Sequence, residues 1–124
     1  MKTNPKVTDM TTFDFGDGPV AAHRHPNGGG WVADTANVAD SAYVGPDAMV
    51  SGYAVVYGNA RIFHAARISG NARVSGTAWV SGRARIFGDA QVTGCADIYG
   101  DRVVSGYTVV TEKTYWHLIR TALR

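Results

Sequence analysis

The chain has a single cysteine, Cys95, so an internal disulfide framework is excluded. With no secretory segment at the start of the sequence, that usage points to a reducing compartment, the cytoplasm. No apolar run approaches the roughly 20 residues a membrane-spanning helix requires, and no membrane partner is expected. Leucine occurs only at Leu118 and Leu123, whereas Gly occurs 15 times in 124 residues. Gly costs about 1 kcal/mol per helix position relative to Ala, so this composition argues against a helical domain. Charge is also scarce, with 12 Lys and Arg against 10 Asp and Glu. A formal net charge of +2 by itself neither demands nor excludes an acidic partner. At 45% hydrophobic and 18% charged, the chain is nevertheless too apolar for a disordered tail, and its length suits one small domain.

What is present is a strict period of six. Val or Ile stands at every sixth position from Val32 through Val110, fourteen hexads without an insertion. Ala stands two residues before it from Ala36 to Ala96, and Gly two residues after it at most positions from Gly52 to Gly106. One unit runs Val74, Ser75, Gly76, Thr77, Ala78, Trp79. In an extended triplet such as Ala72, Arg73, Val74, successive side chains alternate, so Ala and Val face one way and the residue between faces the other. The Gly two positions on supplies a corner conformation that a residue with a Cβ resists. Each hexad is therefore one short strand and one corner. Such a unit buries nothing alone, so coils must stack at the β spacing of about 4.8 Å.

These residues resemble the hexapeptide-repeat family, whose chains wind as a left-handed parallel β-helix of triangular section with three hexads per turn. The resemblance implies an all-β solenoid of about four to five coils over residues 31–113, a prism ~22 Å tall at that spacing. Stacked coils leave open strand edges and apolar cross-sections at both ends. Residues 1–30 are expected to form an irregular N-terminal cap, and residues 114–124, with Tyr115, Ile119 and Ala122 at helical spacing, a short C-terminal helix. The leader, with Phe13, Phe15, Pro19, His23, His25 and Gly28 to Gly30, looks like that of family members of phage and prophage origin.

Because the inward positions are set by the fold, function must lie outside. Three hexads per turn stack residues eighteen apart. One face then carries Met49, Arg67, Arg85 and Val103; a second Tyr43, Arg61, Trp79 and Asp97; the third Asn37, Val55, Arg73, Gln91 and Val109. No acidic residue lies between Asp47 and Asp89, while Arg61, Arg67, Arg73, Arg83 and Arg85 all do, so the small net charge conceals a basic waist. Arg suits bidentate recognition of carboxylate and phosphate. Arg61, Arg67, Arg73, Trp79, Arg83 and Arg85 are the expected partner-binding residues. The competing reading is that these are only the soluble outward positions of a repeat, spread over three faces. Outward Tyr53, Tyr57, Phe63, Phe87, Tyr99 and Tyr107 add apolar surface of a kind that marks protein contact, and a homo-oligomer is expected.

The family that the chain resembles includes acyl-CoA-dependent acyltransferases and zinc carbonic anhydrases. His64 stands where the repeat prefers Gly and is the one candidate catalytic base; a tolerated corner substitution is the plainer account. The uninterrupted hexads leave no substrate loop of the acyltransferase kind. An anhydrase needs three His ligands where the coils hold one, and His23 with His25 would not complete a four-coordinate site. No metal and no cofactor is expected. The leading expectation is a non-enzymatic scaffold that presents Arg and aromatic faces to a protein with an acidic surface. The leader resemblance extends this to a phage-encoded inhibitor of a host defence complex, such as a nuclease assembly, acting in the host cytoplasm. The alternatives are a short acyltransferase with His64 as base, and a nucleic-acid binder marked by steep salt dependence.

Overall fold

Side-chain alternation puts Ala and Val or Ile of each hexad on one side of the chain. In the computed structural model, which describes residues 11–112, that side is the interior. The strands are two residues long through most of the repeat, as at Arg67–Ile68, Arg73–Val74 and Trp79–Val80. Each pairs in parallel with the strand eighteen residues away: Arg73 lies opposite Val55 and Gln91, Trp79 opposite Arg61 and Asp97. Three parallel stacks result, and the described residues form an all-β parallel solenoid of about four to five coils.

The core is a single column of branched aliphatic and small side chains. Every Val or Ile of the repeat from Val44 through Val110 is at most 1% exposed, and Ala42 through Ala96 interleave with them. A triangular interior admits this large and small pairing and leaves no room for longer side chains. At the corners a backbone bond such as Ala78 N–H to Ser75 O (3.3 Å) closes the turn, and Thr77 N–H to Gly94 O (2.9 Å) ties it to the next coil. The Ala slot changes identity in the last coil, where Arg102 and Thr108 occupy it. Thr108 is buried there, and its hydroxyl has no partner among the described residues.

The N-terminal segment is more regular than the sequence suggests. Strand β1 (Thr12–Asp14) pairs antiparallel with β2 (Pro19–Arg24), and β2 pairs antiparallel with β3 (Trp31–Ala33), the first strand of the Met49 face. The hairpin turns because the Asp14 carboxylate accepts from the N–H groups of Gly16 (2.7 Å) and Gly18 (3.1 Å). It docks because Phe13 stacks on Trp31, ring centres 4.7 Å apart. The open edge of one face is thereby covered by paired strands. The Gly28 to Gly30 run covers a second: Val44 N–H donates to Asn27 O, Gly30 N–H to Val44 O, and buried His25 donates from Nε2 to Ala42 O at 2.8 Å. The third face begins at the strand Asn37–Val38, which has a strand neighbour on one side only among the described residues; Val38 is accordingly only partly buried. The helix expected over 114–124 lies outside the described residues.

Candidate functional site

The outward rows follow directly from the register. Arg67 lies directly opposite Arg85, with Met49 above and Val103 below. Two guanidinium side chains thus leave adjacent strands on the same side of one sheet, ~4.8 Å apart at the backbone. Directly opposed like charges destabilise a sheet by some tenths of a kcal/mol. Neither Arg has a carboxylate at ion-pair distance among the described residues.

The hairpin turns this row into a concavity. Phe15 and Asp17, at its tip, form one side of a groove of about 340 Å³ completed by Met49, Ser51, Arg67, Ser69, Arg85 and Phe87. Ser51, Ser69 and Phe87 form their own outward column, each one residue past a buried Val or Ile. The hydroxyls of Ser51 and Ser69 have no hydrogen-bond partner among the described residues. On the other side of the Arg pair lies a second depression, about 390 Å³, lined by Ala65, Arg67, Arg83, Arg85, Asp101 and Val103. The two Arg therefore stand between two hollows, within reach of either.

The six residues singled out from sequence do not form one site. Arg67, Arg85 and Arg83 come together, but Arg83 is already engaged by Asp101, with Nε 3.2 Å from the carboxylate at an exposed corner. Arg61 and Trp79 lie on the Tyr43 face, the guanidinium 5.9 Å from the ring centre. Here Tyr43, Phe63 and Trp79 form an aromatic ladder, with successive ring centres 5.4 and 5.5 Å apart. Phe63, expected to be exposed, is half-buried inside that ladder. Arg73 stands on the third face between Val55 and Gln91. The basic waist is thus a belt in sequence and a patch on one face only.

His64 has φ of +57°, the only left-handed non-Gly residue among those described, and Gly82 N–H donates to its Nδ1 at 3.4 Å. That bond assigns the ring proton to Nε2. The lone pair a general base would use is turned onto the backbone of the next coil, and His64 lines neither hollow beside the Arg pair. His23 contacts Asp34 at 2.7 Å while His25 is committed to Ala42 O, so the two imidazoles serve separate local contacts. Among the described residues no three His, Cys, Asp or Glu come close enough to hold a metal. Cys95 is exposed, 3.7 Å from the Thr77 hydroxyl.

Residues 66–82 match the family model of the YdcK beta-solenoid repeat. The match spans nearly one coil at the centre of the stack and supports a β-helix repeat family. None of the curated proteins and none of the solved structures compared with the chain matches it.

Proposed function

We propose that the protein is a non-enzymatic binding scaffold whose Met49 face takes an acidic surface of a protein partner. The observation that carries this reading is the Arg67 over Arg85 pair, exposed in a groove and lacking a carboxylate partner among the described residues. The stacked two-residue strands fix the backbone positions of the two Arg before contact, so the ordering left to binding is that of the side chains themselves. An incoming carboxylate relieves the repulsion between them and gains bidentate hydrogen bonds. In its finer form the partner is a host nuclease complex and the protein a phage-encoded inhibitor of it, a step supported by the leader resemblance. Exposed Tyr53 and Tyr107 stand on the corner column next to the groove, with Asn71 and Asp89 between them, and such outward aromatic surface supports a second copy of the chain as a further partner.

The test is capture of partners by the tagged protein from host cells, with the captured chain identified and its binding re-measured using purified components. The double substitution Arg67→Glu with Arg85→Glu should abolish that binding with an unchanged melting temperature, while Arg73→Glu on another face leaves it intact. Equal binding by both variants would remove the Met49 face from the interaction. Capture of nucleic acid, with affinity falling steeply as salt rises, would replace the protein partner with a phosphate backbone. Nothing in the geometry of His64 favours the acyltransferase alternative.

A further inference from the structure

We propose that the groove between the hairpin tip and the Arg67–Arg85 pair is a binding subsite for a phosphate monoester with an aromatic ester group. The inference rests on the same Arg pair as the proposed function, but not on the partner being a protein. One carboxylate satisfies one guanidinium fork. Two forks on adjacent strands, flanked by the uncommitted hydroxyls of Ser51 and Ser69, present more donors and more positive charge than a carboxylate can use. A phosphoryl group, with three acceptor oxygens and close to two negative charges at neutral pH, matches that set. The organic half of the ligand is specified by the opposite walls. Phe15 on the hairpin and Phe87 one coil beyond Ser69 supply apolar rings to this same groove, and Phe87 is 39% exposed at a position that Ser51 and Ser69 fill in the two preceding coils. The volume, about 340 Å³, falls in the small-molecule range. Asp17 lines the same groove and is the one negative group there, opposing a second anion.

Calorimetric titration of the full chain separates the contributions. Phenyl phosphate is expected to bind at least tenfold more tightly than inorganic phosphate, with Arg67→Ala plus Arg85→Ala abolishing both and leaving the melting temperature unchanged. Phe87→Ser should erase the preference for phenyl phosphate while retaining inorganic phosphate. Asp17→Asn should tighten both ligands several-fold. A phosphotyrosine peptide binding better than phenyl phosphate would place the group on a protein chain, and the reverse order would make the ligand a free metabolite. Phenyl phosphate binding no tighter than inorganic phosphate, or binding that survives loss of both Arg, would overturn the proposal. If neither ligand binds but partner capture still requires Arg67 and Arg85, this inference falls and the scaffold reading stands; the converse result removes only the protein partner.

Discussion

His64 illustrates how a departure from a repeat is visible in sequence while its meaning is not. The Gly slot it fills was plain from the period, and so was its chemical interest as an imidazole. What decides its role is the left-handed backbone at +57° and the bond from Gly82 N–H, neither of which spacing reveals. His, like Asn and Asp, enters this region more readily than branched residues do. His64→Gly should therefore keep stability within about 0.5 kcal/mol of the parent, because relief of strain offsets the lost hydrogen bond, whereas His64→Val should lose roughly 1–2 kcal/mol. Denaturant melts of the two variants check this; a large loss on His64→Gly would mean the imidazole has a structural role beyond the corner. The outward Arg rows were legible because the family resemblance implies three hexads per turn, after which the eighteen-residue stacking is arithmetic. The same arithmetic applied to the corners places Arg83 over Asp101, and it removes one of the expected partner-binding residues from the uncompensated set. Phe15 and Asp17 were not legible as groove residues, since their position depends on a chain reversal that docks through Phe13 and Trp31.

Among elements, the corner determines how closely coils approach. A Cβ built at Gly76 would stand 2.8 Å from Gly94 N and 2.9 Å from its O, so the backbone of the next coil would have to move. At Gly106 the φ is nearly the same, +64° against +68°, yet nothing described lies within 4 Å. The pair of positions isolates stacking from backbone strain. Gly106→Ala should lose about 1 kcal/mol, the ordinary cost of the left-handed region. Gly76→Ala should lose that and at least about another 1 kcal/mol, because rigid backbone rather than a flexible side chain is displaced. Equal losses in thermal or denaturant unfolding would mean that coil contact at the corner carries no weight. The hairpin is the element that sequence understated. Asp14, Gly16 and Gly18 encode its turn, but pattern alone does not distinguish a turn that pairs two strands from one that merely redirects an irregular cap.

For the whole molecule, stacking makes stability a matter of neighbours, since each coil touches only the coils above and below. Val74 is fully buried at mid-height, with Val56 on one side and Val92 on the other. A carboxylate there has neither water nor a charged partner, and its burial costs several kcal/mol against a net stability of roughly 5–15 kcal/mol for a domain of ordinary size. Breaking that coil also leaves two stacks on either side, each too short to bury its own cross-section. Val38, by contrast, opens the Asn37 face, is only partly buried, and has a strand neighbour on one side among the described residues. Val74→Asp is therefore expected to abolish cooperative melting by circular dichroism, whereas Val38→Asp lowers the melting temperature and leaves a folded, cooperative chain. Were Val74→Asp to melt like the parent, the inward assignment of the whole aliphatic column would fail, and with it the register that sets Arg67 against Arg85. The charge distribution depends on the same register: of five Arg close together in sequence, four are divided among three faces and Arg83 stands at a corner, and the one directly opposed pair among them stands where the hairpin builds a groove.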